Sequence, residues 1–468
     1  MDGGRASEPL ASRHDHASAF ASWLPIIAPA VLAVELGAAA RHMVVSDTWL
    51  GLVAGREVWQ HGIPATEHLT TLAAGREWID QQWLAQLAMY LLQRIGGVGV
   101  VVALCAASFV AGFIFCAAAA QRRGAAPRIL FIFFLLAFLA GPWGAQARTQ
   151  SFALPLFGLI VWLLSRDPDG KLRATIWVLP ILCLWANLHG SVLLGATVVA
   201  GYGILLLAGR RRIGAVYLVG APLCIFASPY GFSLAGYYVR MTLHPPFGRD
   251  LSEWRWPWST PLVVGFFLLA VLATVLVAQN RSAVTRFDLF LLTATFLFGL
   301  DALRLTFWFG LAALAVLPPL ASRRRDVQAG PAAGMAIGFA LVLIAALALI
   351  PARAVPTAAW RPGRLRAVVS NLPASRRVFA DLDLADWLLW QEPHLEAHVP
   401  FDARPELLTR QQFLDVAYRA ATFEPGWRRV LAPYRFVLLT PVRASLLLRA
   451  GGWQRVAAAP KWVLLARG

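Results

Sequence analysis

The chain has 468 residues, 58% of them hydrophobic and only 14% charged, and its mean hydropathy is +0.61. Soluble domains carry about 25% charge, so that class is excluded and an α-helical polytopic membrane protein is expected. The formal charge of +17 would suit nucleic acid, but many of the basic residues sit in short loops between apolar spans, where membrane topology requires them. No nucleic-acid partner is expected.

The N-terminal stretch is polar, and no cleavable signal peptide is expected because the first span lacks a clear small-residue cleavage site. Apolar spans read at about Trp23–Ala40, Val98–Ala120, Ile129–Gly141, Ser151–Leu164, Ala174–Trp185, Ser191–Ala208, Ile213–Ser228, Pro261–Ala278, Phe287–Leu300, Leu303–Leu320 and Ala332–Ile350. That is about eleven transmembrane helices. Several are shorter than the roughly 20 residues a bilayer needs, so their polar ends must lie in protein or in a cavity. Basic clusters near Gln121, Arg166, Gly209, Gln279 and Ser322 fall in every second loop. The positive-inside rule then places the N-terminus in the cytoplasm of an inner, or plasma, membrane. The first loop (41–95), the turns holding Arg148, His189 and Asp301, the segment 229–260 and the tail face outward. Cys105, Cys116, Cys183 and Cys224 all lie in apolar segments without metal-ligand spacing, so neither a disulfide framework nor a cysteine metal site is expected.

The stretch Asp47–Leu84 interrupts the apolar pattern most strongly in the first half of the chain. It carries Asp47, Arg56, Glu57, His61, Glu67, His68, Arg76, Glu77 and Asp80, with Trp49, Trp59, Trp78 and Trp83 between them. Carboxylates and tryptophans beside apolar spans suit a site at a membrane surface; an interfacial helix pair that shields helix ends is the plainer reading. Each ionisable residue of the other outward turns has a plain alternative too. Arg148 could snorkel to lipid phosphate, His189 could bond a neighbouring carbonyl, Asp301 and Arg304 could pair at a helix end, and Glu253 could cap a helix. Their predicted gathering on one side of the membrane favours a shared site. Domain limits are expected at 1–351 for the membrane part and 352–468 for a small extracytoplasmic α/β domain. In the latter, short runs such as Arg435–Leu439 and Trp462–Leu465 read as buried strands.

Such a surface suits a lipid-phosphate-linked sugar donor, with an anionic leaving group and a prenyl tail that stays in the bilayer. Asp47, at the head of the first outer loop, is the candidate general base toward an acceptor hydroxyl. Arg148, Arg240, Arg255 and Arg304 are candidate phosphate clamps, His189 is a further donor and Glu253 a neighbouring carboxylate. Trp49, Trp78 and Trp83 could stack on sugar rings. A divalent cation, magnesium or manganese, could bind loop carboxylates through oxygen, but no cluster forces it and no metal ligands are assigned.

The layout resembles the C-type glycosyltransferases, which include protein mannosyltransferases, lipid A aminoarabinose transferases and oligosaccharyltransferase catalytic subunits. The matching pieces are Ser46-Asp47-Thr48-Trp49, Gly55-Arg56, Gln60-His61-Gly62, Pro64, Thr70, Gly75-Arg76-Glu77-Trp78 and Gln82-Trp83-Leu84. Asn187-Leu188-His189-Gly190, Pro229-Tyr230-Gly231 and Asp402-Ala403-Arg404-Pro405-Glu406 also look like a group of bacterial multi-pass members. Gly51 stands where those relatives often carry His, and Gln82 where they often carry Glu. The resemblance implies many membrane helices, a catalytic Asp soon after the first helix, and a C-terminal outer domain. It implies transfer of a sugar from a polyprenyl phosphate to a glycan, lipid or protein acceptor of the cell envelope, at the outer face. A lipid-linked saccharide flippase would share the apolar groove and the basic contacts, and the Gly51 and Gln82 departures would suit a non-catalytic envelope-assembly scaffold.

Overall fold

The computed structural model describes residues 43–322, Trp360, Val368 and 377–468. The first and last predicted spans, with Glu35 and the linker prolines Pro351, Pro356 and Pro362, lie outside the described residues.

Helix α1 (Ser46–His61) opens the described chain. The loop expected over 41–95 is therefore largely helical, because α2 (Trp83–Arg122) also begins within it. The predicted span starting at Val98 is the second half of α2. Gly96 and Gly97 interrupt the helix with non-helical backbone, Gly97 at φ 73°, a conformation open to glycine. α1 packs on α2, and Gly55 permits the contact, since a Cβ there would overlap the Gln86 carbonyl.

The bundle continues with α3 (Pro127–Leu139), α4 (Ala153–Ser165), α5 (Val178–Ala186), α6 (Val192–Ala208), α7 (Gly214–Ile225), α8 (Ser233–Leu243), α9 (Val264–Gln279), α10 (Arg286–Asp301) and α11 (Thr306–Ala321). Each apolar span predicted within the described residues contains a helix. Among the described residues, two helical stretches, Trp83–Arg122 and Leu303–Ala321, are long and apolar enough to cross a membrane by themselves. The others are short, and α5 is extended by a 3-10 turn over Arg173–Trp177. Outward faces are apolar. Ile132, Leu135 and Leu139 on α3, Val216, Val219 and Leu223 on α7, and Val264, Leu268, Val271 and Val275 on α9 are exposed at helical spacing. Stripes of this kind need a non-aqueous surround. Inside, Trp185 and Trp308 sit 5.8 Å apart, with Phe157 5.1 Å from Trp308.

The bundle has two chemically distinct ends. At one, the predicted basic loops meet. Arg123 pairs with Asp288 at 2.6 Å, Ser322 accepts from the Ala126 amide, and Tyr202 joins the Asp167 loop to Phe287. The other end holds the turns with Arg148, His189, Glu253 and Arg304, covered by the tail.

Within 377–468 the tail is a small α/β unit. β1 (Val378–Ala380), β2 (Phe436–Leu439), β3 (Trp453–Ala459) and β4 (Trp462–Arg467) form one sheet in the order β1-β2-β4-β3. β1 and β2 are parallel, and the other pairings antiparallel. α12 (Leu382–Gln391) leaves β1 and packs on α1. Both predicted strand runs are strands.

The tail is also stitched to the hairpin after α1. The Thr71 and Leu72 amides donate to the carbonyls of Val399 and Pro400 at 2.9 and 3.0 Å, and the Ala397 amide donates to Leu69 at 2.9 Å. Buried Arg404 pairs with Glu67 at 2.5 Å and with Asp402, and lies 4.1 Å over the Trp78 ring. Arg56 bonds Glu396 at 2.9 Å and the Leu389 carbonyl at 3.0 Å.

Candidate active site

Asp47 occupies the first turn of α1, where an acidic residue faces the positive helix end. Thr48 fixes that turn by accepting from the Val45 amide at 3.1 Å and donating to the Ala147 carbonyl at 2.6 Å. Helical spacing then puts Asp47, Leu50 and Gly51 on one face, and these three line a cavity of about 500 Å³.

A chain of alternating charges crosses the cavity wall. Arg148 Nε lies 3.4 Å from Asp47 Oδ2, Arg148 Nη1 lies 2.5 Å from Glu253 Oε2, and Arg304 Nη1 lies 3.0 Å from Glu253 Oε1. Arg304 is stacked 5.0 Å from the Trp254 centroid. His189 Nδ1 sits 2.9 Å from Ser191 Oγ. Asp47, Arg148, His189, Glu253 and Arg304 come from five different turns, so the site is assembled by the bundle and not by one motif.

Surroundings set the ionisation of each group. Burial pushes the Asp47 carboxyl up, against the pull of Arg148. Burial would also raise Glu253, but Arg304 and Arg148 more than offset it and hold the carboxyl at about 2. Burial, helped by Arg304 and Arg148, lowers His189 to about 3, so the imidazole is neutral at pH 7. Glu406, at the cavity wall, is pushed up to about 7, chiefly by burial.

Of the residues picked from sequence, Asp47, Arg148, His189, Glu253 and Arg304 line this cavity. Arg240 and Arg255 do not; both are exposed. Trp49 is buried, packed 5.6 Å from Trp360, Trp78 is sealed under Arg404, and Trp83 donates to Asn187 Oδ1 at 2.9 Å. None of the three lines the cavity; its aromatic walls are Trp143, Trp254, Tyr237, Tyr238, Phe247 and Phe298. Asp301 and Arg304 do not pair with each other: Asp301 pairs with Arg249 at 2.8 Å. The tail supplies Asp383 and Glu406, which sequence reasoning did not single out as site residues. The one signal was the Asp402–Glu406 run. Gly51 and Gln82, where this chain departs from the C-type pattern, both lie at the cavity wall, and Gln82 accepts from Thr149 at 2.6 Å. The buried oxygens of Gln146 and Tyr238 face the cavity without a hydrogen-bond partner, ready for a hydroxylated ligand.

No family model matches the chain, and no curated protein matches it. Solved structures do. ArnT from Cupriavidus metallidurans in the apo state superposes with TM-score 0.51 at 14% identity, covering 93% of this chain and 97% of that one. ArnT from the same organism bound to undecaprenyl phosphate gives TM-score 0.50 at 15% identity, covering 94% and 97%. The chain has the C-type glycosyltransferase fold. That fold is a multi-pass helical membrane fold, in keeping with the apolar outer stripes, and the match runs through the tail as well as the bundle.

Proposed function

We propose that the protein transfers a sugar from a polyprenyl-phosphate donor to a hydroxyl of an envelope acceptor, with Asp47 as general base. The observation that carries this is the Asp47–Arg148–Glu253–Arg304 chain in a cavity at the end of the bundle away from the basic loops. By the charge rule that end is the outer face. The structure of ArnT with undecaprenyl phosphate supports a lipid-phosphate ligand for this fold.

The step balances as a displacement. The acceptor hydroxyl gives its proton to an Asp47 oxygen as its own oxygen bonds the anomeric carbon. The bond from that carbon to the phosphate oxygen breaks, its electron pair stays on that oxygen, and the phosphate leaves still attached to its prenyl chain. Arg148 and Arg304 meet the charge growing on the phosphate. Burial helps Asp47 as a base, because a raised pKa strengthens it at working pH. Neutral His189 can hydrogen-bond the phosphate or a sugar hydroxyl.

Magnesium or manganese is the cofactor the sequence leaves open. Hard cations need several oxygen ligands, whereas Asp47 Oδ2 and both Glu253 oxygens already face guanidiniums, so no step is routed through a metal. The test is to purify the chain, supply a polyprenyl-phosphate sugar, and measure release of prenyl phosphate in the presence of an acceptor. Movement of intact donor across a vesicle without cleavage would instead identify a flippase.

A further inference from the structure

A second cluster lies at the far end of α1 from Asp47, ten residues on, or about 15 Å at 1.5 Å per residue. Glu57 and His61, four apart, share one face of the last turns. Gly62, at φ 87°, ends the helix and turns the chain. A hairpin then returns, closed by the Thr66–Glu77 bridge and by the Glu67 amide donating to the Arg76 carbonyl at 2.8 Å. It carries His68 back to α1. His61 Nδ1 lies 2.9 Å and His68 Nε2 3.1 Å from the same Glu57 oxygen, and the three donor atoms all lie within 4.8 Å of one another.

We propose that Glu57, His61 and His68 bind a zinc ion. Two imidazoles and one carboxylate are a zinc donor set, with bonds of about 2.0–2.2 Å. Tetrahedral bonds of that length separate donors by about 3.3 Å, so the present spacings of 2.9 and 3.1 Å need only a small opening to admit the ion. The Glu57 side chain is 4% exposed, and among the described residues no Arg or Lys pairs with it. A buried carboxylate otherwise requires a cation or strong donors. The two His side chains are 61% and 50% exposed, which leaves an entry path and a fourth position for water. Imidazole nitrogen favours zinc over magnesium or manganese, which prefer oxygen.

The site is structural. None of its three residues lines the cavity. His68 neighbours Glu67, which anchors Arg404 of the tail. Zinc would therefore lock α1 to the hairpin that holds the tail over the reaction centre.

The test uses tag-free full-length protein in detergent, stripped with chelator and titrated with zinc chloride against a chromophoric zinc indicator. We expect one zinc per chain, a higher Tm with zinc, and affinity falling at least about 100-fold in His61→Ala and His68→Ala. Cobalt(II) added to the stripped wild type should give the visible absorption of a four-coordinate site, and this arm needs no variant to fold. Zinc well below one per chain, wild-type zinc affinity in both variants, or a purely six-coordinate cobalt spectrum would overturn the proposal and leave a hydrogen-bonded Glu–His cluster.

Discussion

Arg148 Nε stands 3.4 Å from Asp47 Oδ2, joining the turn after α3 to the first turn of α1. Asp47 is thus held between two opposed influences. Burial favours its neutral form and the guanidinium its ionised form. The cavity side of the carboxylate stays open, with 31% of the side chain exposed, so an acceptor hydroxyl can reach it.

The pH dependence of transfer follows from that balance. A general base works only when ionised, so kcat/KM falls as pH falls through the Asp47 pKa. Because burial raises that pKa, the acid limb should lie above the ordinary aspartate value of about 3.9. A pH–rate profile of kcat/KM checks this; activity sustained down to that ordinary value would contradict it.

Glu253 holds two cations together, and Glu253→Gln removes what they share. Its folded pKa of about 2 lies below the reference value of 4.5. The ion pairs therefore stabilise the fold above pH 4.5, and that contribution is lost as pH falls toward 2. With 29% of the Glu253 side chain exposed, the loss is on the order of 2 kcal/mol, below the 3–5 of a fully buried pair. Thermal unfolding in detergent at pH 7 should show a lower Tm, and the gap should narrow in acid. An unchanged Tm at pH 7 would show that the chain of charges does not support the bundle.

Arg404 is the buried clasp of the tail, 2% exposed beside Glu67 and Asp402. Arg404→Met leaves two buried carboxylates without their cation, at a cost of about 3–5 kcal/mol. Release of the tail should be read as faster proteolysis within 377–468 and faster amide exchange in α12. Equal protection would mean that the strand-like contacts near Thr70 and Val399 hold the tail unaided.

Much of this arrangement can be read from the chain, and particular residues show where reading stops. Arg148, His189, Glu253 and Arg304 are legible because each is an ionisable group in a turn between apolar spans. α1 is not, because it is buried between α2 and α12, and two-sided burial erases the amphipathic pattern that marks a surface helix. Arg240 and Arg255 are ionisable groups in the same outward segment as Glu253. Only the winding of α8, which buries Tyr237 and Tyr238 and exposes Arg240, takes Arg240 from the site. Asp383 and Glu406 reach the cavity through tail contacts far apart in sequence, which no local pattern encodes. Trp78 and Trp49, read as possible sugar platforms, are taken up by packing against Arg404 and Trp360.

The most direct test of the account compares wild type with Asp47→Asn, both purified and shown to unfold at the same temperature, on a polyprenyl-phosphate sugar with an acceptor present. The account predicts release of prenyl phosphate coupled to sugar transfer by the wild type. It predicts a loss of about 10²–10⁴-fold in kcat for the variant, with donor binding retained through Arg148 and Arg304. Transfer by Asp47→Asn at the wild-type rate would contradict it.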